Sequence, residues 1–128
     1  MKSIHTEKAP AAVGPYSQAV ESGNRVYVSG QLPIDPETGE MRDGCIKCKT
    51  RQSLTNIRHI LEQAELSMNN VVKVTVLLTD INDFSAVNEV YAEFFEEPYP
   101  ARSAFAVSAL PKGAPIEIEA IAEKNAKV

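Results

Sequence analysis

The chain has 128 residues, with 13 Lys plus Arg against 17 Asp plus Glu and a formal charge of -4. That length suits one domain, residues 1–128, with a single core. The acidic balance, without a basic tail or Lys/Arg cluster, argues against a nucleic-acid partner; with neither a membrane-length apolar stretch nor a cleavable leader, a cytoplasmic protein is expected.

Ser3–Thr6 reads as a short edge strand, and Ala9–Pro15, rich in Pro, Ala and Gly, as irregular chain. Tyr16–Glu21 and Arg25–Ser29 read as a hairpin turning at Gly23-Asn24, with Val26 and Val28 on one face and Tyr27 and Ser29 on the other. Gly30 is expected to end the strand. Gln31–Gly44, interrupted by Pro33 and Pro36, reads as a loop with a turn at Asp35–Gly39.

Ile46–Ala64 has helical periodicity: Leu54, Ile57, Leu61 and Ala64 make an apolar stripe, while Arg51, Arg58, Glu62 and Glu65 face water. In Val71–Thr79 the period changes to two, with Val72, Val74, Val76 and Leu78 opposite Lys73, Thr75 and Thr79. Asp83 is expected to cap a second helix that turns Phe84, Val87, Tyr91, Phe94 and Phe95 inward and stops at Pro98 and Pro100. Two more strands, Ser103–Leu110 and Ile116–Ala122, are expected to be joined by a turn or short loop containing Pro111, Gly113 and Pro115. The order predicts an α+β fold, two helices covering one face of a largely antiparallel or mixed sheet. Thr75, Leu77, Ile121 and either Ala104 or Phe105 give the other face material for a subunit contact, so an oligomer is expected.

Arg102 and Glu117 are the leading chemical candidates. A guanidinium at a strand entrance can grip a carboxylate through two parallel N–H donors, and a carboxylate beside it can orient or deprotonate water. The alternatives are a solvated arginine, an outward Glu117 beside Glu119, or an Arg–Glu surface pair of little energetic value. Asn88 and Tyr91, three residues apart on a helix, can reach a cleft together, or else divide between solvent and the core edge. Ser29 offers a hydroxyl before Gly30, but no nucleophile elbow or triad order accompanies it. Cys45 and Cys48 are a CxxC at a helix start, where a thiol is acidified. The loop before them and the lack of a second cysteine pair disfavour redox or zinc chemistry. His5 and His59 lack metal-site spacing, Asp80 and Asp83 lack an EF-hand pattern, and no phosphate-loop or dinucleotide fingerprint occurs.

Five blocks carry a resemblance along nearly the whole chain: APAAVGPYSQAV at Ala9–Val20, VSGQLPIDPETGE at Val28–Glu40, RQSLTNI at Arg51–Ile57, VNEVYAEFF at Val87–Phe95, and PARSAFAVSALP followed by IEIEAIA. With these the chain resembles the reactive intermediate deaminase family, also called the YjgF/YER057c/UK114 family. The resemblance implies a chorismate-mutase-like α+β fold, assembled as a homotrimer whose sheets enclose a central barrel, with clefts between subunits. It implies that Arg102 clamps the substrate carboxylate, that Glu117 holds or activates water, and that Tyr16, Ser29, Gly30, Asn88 and Tyr91 line the pocket. The implied reaction is hydrolysis of 2-aminoacrylate or 2-aminocrotonate, through their imine tautomers, to 2-oxo acids and ammonia. No cofactor or metal is implied, although such intermediates leave pyridoxal-phosphate-dependent dehydratases. Many family members have a cysteine two positions after the arginine; this chain has Ala104. A ligand-sensing or regulatory protein-interaction role is the alternative that the family carries.

Overall fold

The computed structural model describes residues 1–126. Its strands are β1 (Lys2–Ile4), β2 (Ala19–Ser22), β3 (Arg25–Gln31), β4 (Val71–Leu78), β5 (Ala101–Ala106) and β6 (Ile116–Glu123), and its helices are α1 (Ile46–Gln63) and α2 (Phe84–Phe94). One sheet has the order β1-β2-β3-β6-β4-β5, antiparallel except for the β4–β5 pair. It is the mixed sheet of the expected α+β class.

The expected turn between the last two strands does not make a hairpin. β4 lies between β5 and β6, pairing with both, and Val107–Pro115 carries the chain past it. The reason is the parallel β4–β5 pair, which needs a crossover and obtains it from α2. The strand expected at Ser103–Leu110 therefore starts earlier and stops at Ala106, with Arg102 inside it. The strand expected to end at Gly30 continues to Gln31 through a register shift between Val28 and Gln31. A second shift falls between Val71 and Lys73 of β4, so Val71 is buried and Val72, expected on the apolar face, is half-buried. Such a shift swaps the faces of the residues before it.

The apolar stripe of α1 is wider than expected, since Ile60 joins Leu54, Ile57 and Leu61 in full burial. These pack on Val26, Val74, Val76, Ile116 and Ile118 of the sheet, each such side chain contributing roughly 1.5–3 kcal/mol through burial. The helix ends where Glu65 takes a left-handed φ of 63°. The Leu66 and Glu65 N–H groups then donate to the Leu61 and Glu62 carbonyls, a Schellman closure. Asp83 is not the side-chain cap expected at α2. Asp80 takes that task one turn earlier, accepting from the Asn82 N–H at 2.9 Å at the head of a 3-10 turn, Ile81–Asp83, that leads into the helix. Among the described residues no helix is long and apolar enough to cross a membrane.

Candidate active site

The site residues expected from the sequence fall into two groups on opposite faces of the sheet. Residues opposite one another on neighbouring strands share a face. Arg102 is paired with Val74, on the helix-covered face, whereas Glu117 is paired with Leu77, on the open face. Neither a joint cleft nor an Arg102–Glu119 surface pair exists within one chain, for Glu119 also lies on the open face, opposite Thr75.

Glu117 belongs to a cavity of about 700 Å³ that Tyr16, Ser29 and Gly30 also line, with Leu32 and Ile34 among its apolar walls and Lys112 and Glu119 among its charged ones. The shift in β3 brings Gly30 against Glu117 so closely that a Cβ on Gly30 would stand 2.8 Å from the carboxyl carbon. Glycine is needed there for clearance. Ser29 is held by its own hydroxyl, which donates to the Ser17 carbonyl at 2.6 Å, and its N–H donates to the Gln18 carbonyl. Burial pushes the Glu117 carboxyl above the ordinary glutamate range, and the Glu119 charge pushes it further. No hydrogen bond from the described residues steadies its charged form. Such a carboxylate is ready to accept a proton.

Arg102, Asn88 and Tyr91 make the second group, at the outer edge of β5. The guanidinium donates to Asn88 Oδ1 at 2.7 Å and lies over the Tyr91 and Phe84 rings, 4.7 and 5.1 Å from their centroids. All of these partners are neutral, and among the described residues Arg102 enters no ion pair. Its charge is oriented but not compensated, which favours an incoming anion. The Tyr91 hydroxyl is buried and, among the described residues, has no hydrogen-bond partner. Burial raises its pKa against the pull of Arg102, so it remains a proton donor.

Three buried amides missed by the sequence reading position the cavity walls. Gln18 donates to the carbonyls of Thr6, Ala9 and Pro10 and accepts from the Thr6 N–H, fixing the segment that leads to Tyr16. On α1, Asn56 donates to the Leu32 and Ile34 carbonyls, Gln52 donates to Asn56, and Arg42 donates to Gln52. Polar side chains at core-facing positions of the helical stripe were the available signal. Cys45 and Cys48 lie elsewhere, at the start of α1. Among the described residues no cluster of three metal-ligating side chains occurs.

Residues 6–124 match the sequence profile of the family described as Endoribonuclease L-PSP. The chain belongs to this family, the reactive intermediate deaminase family of the sequence resemblance. A RutC family protein of Pyrococcus horikoshii is 60% identical over 122 residues, 95% of this chain and 97% of that protein. A goat (Capra hircus) protein named 2-iminobutanoate/2-iminopropanoate deaminase is 56% identical over 119 residues, 93% of this chain and 87% of its own. The crystal structure of RidA from the Antarctic bacterium Psychrobacter superposes with a TM-score of 0.92 at 54% identity, covering 96% of this chain and 99% of that one. The reactive intermediate deaminase family thus includes imine deaminases at about half identity to this chain.

Proposed function

We propose that this chain is a 2-iminobutanoate/2-iminopropanoate deaminase, working as a homotrimer with each site assembled from two subunits. The observation that carries the reading is the separation of a neutral-partnered Arg102 from a half-buried Glu117 across one sheet. Each group lacks what the other supplies. The Glu117 cavity has two carboxylates and one lysine on its walls, a poor host for an anionic substrate by itself. An Arg102 from a neighbouring subunit corrects that balance. The open face supports assembly: Tyr27 and Phe105 are 40% and 49% exposed there, and among the described residues no strand pairs with the outer edge of β5.

In the proposed reaction, Arg102 grips the carboxylate next to the C=N bond with its parallel N–H donors. That grip removes much of the entropic cost of aligning the electrophilic carbon with water. Glu117 takes a proton from the water as its oxygen bonds to carbon and passes that proton to the imine nitrogen. The resulting amino alcohol loses ammonia: Glu117 takes the hydroxyl proton as the C=O bond forms and delivers it to the nitrogen as the C–N bond breaks. Ser29 and the Gly30 backbone border the reacting atoms, while Tyr16, Asn88 and Tyr91 shape the cleft. No step calls on a cofactor. The dehydration of serine or threonine by pyridoxal-phosphate enzymes is the reaction class that supplies such imines, which suits a cytoplasmic location.

The test is ammonia and 2-oxo acid release from enzymatically generated 2-aminoacrylate, with the generating enzyme in excess, in buffer, with native protein and with Arg102→Ala. Acceleration that depends on Arg102 is expected. Stoichiometric binding without accelerated release would instead make the chain a ligand-sensing module.

A further inference from the structure

We propose that Cys45 and Cys48 form a thiol–disulfide exchange site for low-molecular-weight disulfides, in which Cys45 attacks and Cys48 resolves. Both cysteines are free, Cys45 exposed and Cys48 half-buried, and their Sγ atoms are 2.8 Å apart. At that separation one thiol donates to the other, and a thiolate on the acceptor is stabilised. Cys45 is also the N-cap of α1, its Sγ accepting the Cys48 N–H at 3.3 Å. Oxygen-bearing side chains usually hold that place. A sulfur there presents a nucleophile at the positive end of an 18-residue helix.

The surroundings divide the two roles. Cys45 is held below the ordinary thiol range, first by the Cys48 thiol and then by the Cys48 backbone N–H, with burial opposing. Of the neighbouring cations, Lys47 pairs with Glu89 and Arg51 with Glu93, while Lys49 donates to the Gly44 carbonyl beside Cys45 at 2.7 Å; the hydrogen bonds from Cys48 are the largest influence on the sulfur. Gly44 precedes the pair with φ 104°, and a Cβ there would stand 3.3 Å from Cys48 Sγ. A glycine at this point meets the backbone demand and leaves Cys48 unobstructed.

In the exchange, the Cys45 thiolate attacks one sulfur of RS–SR, forming a Cys45–SR mixed disulfide and expelling RS⁻, which takes up a proton. Cys48 then loses its proton and attacks Cys45 Sγ; the Cys45–Cys48 bond forms and the second RS⁻ leaves and is protonated. The protein dithiol is oxidised by two electrons and the small disulfide is reduced to two thiols. The reverse direction regenerates the dithiol.

The experiment equilibrates the purified full chain with glutathione disulfide and glutathione at graded ratios, quenches with N-ethylmaleimide and weighs the intact chain. Wild type is expected to pass in one step from a doubly alkylated chain to an unalkylated, internally bridged one. Cys48→Ser is expected to accumulate a single glutathione adduct roughly tenfold faster than Cys45→Ser. Serine can accept the same N–H at the cap, so Cys45→Ser keeps the helix start. Thiols that remain alkylatable at high glutathione disulfide, bridges only between chains, or equal trapping by the two variants would each overturn the proposal.

Discussion

The two halves of the candidate site are prepared in opposite ways. The Arg102 half is polar, held by an amide oxygen and two rings at a sheet edge, and its charge has no counterion among the described residues. The Glu117 half is recessed in a cavity, receives no hydrogen bond at its carboxylate from the described residues and is pushed toward protonation by burial. In the proposed reaction, one half keeps a charge ready for an anion and the other a proton acceptor ready for water. Their placement on opposite faces prevents the two charges from neutralising each other within one chain.

The largest effect expected is from Arg102→Ala, a loss of about 10³-fold in kcat/KM, corresponding to roughly 4 kcal/mol for a lost charge-assisted clamp. Co-expressing this chain with Glu117→Gln sharpens the comparison. Mixed oligomers, verified by native mass spectrometry, are expected to regain activity because one cleft in them joins an intact Arg102 to an intact Glu117. No recovery would break the two-subunit reading.

Glu117→Gln is expected to slow turnover by about 10²–10³-fold with KM little changed. The pH dependence has a definite sign. A folded-state pKa above the unfolded value means that the folded chain binds the proton more tightly, so ionising Glu117 lowers stability as pH rises through that window. At neutral pH the glutamine variant should therefore melt no lower than wild type. Its rate profile should also lose an acid limb that, in wild type, lies above the ordinary glutamate range. A lower melting temperature with the limb retained would remove Glu117 from the proton-accepting role.

Gly30→Ala is expected to fold and to lose roughly 10² in kcat, since its Cβ displaces the Glu117 carboxylate and an ångström of misplacement costs about that much. Unchanged kcat would mean that the carboxylate can move without consequence. Asn88→Ala, which frees Arg102 without removing it, should raise KM about tenfold with kcat nearly constant. An equal fall in kcat would give Asn88 a part in the chemical step.

Much of this was legible in the residues. The stripe of α1 and the alternation in β4 and β6 each depend on local periodicity, and the architecture follows from their order. The family blocks pointed to the candidate site residues without their mutual geometry. The opposite faces of Arg102 and Glu117 depend on β4 being inserted between β5 and β6, a long-range pairing that neither strand's sequence specifies. Register shifts at Ser29–Gly30 and near Val72 were likewise invisible, because one extra residue leaves composition unchanged. Asp83 is the cap that the sequence points to, but the 3-10 turn in front of the helix passes that task to Asp80. Gln18, Gln52 and Asn56 looked like ordinary polar residues until their carbonyl partners came near in space.

No described strand pairs with the outer edge of β5, and under the proposed assembly this makes dilution a functional variable. Since Arg102 rides on that edge strand, separation of subunits under the proposed assembly leaves every secondary-structure element in place but divides each site. Specific activity should then fall with protein concentration before circular dichroism changes, and the concentration at which it halves would report the strength of assembly itself.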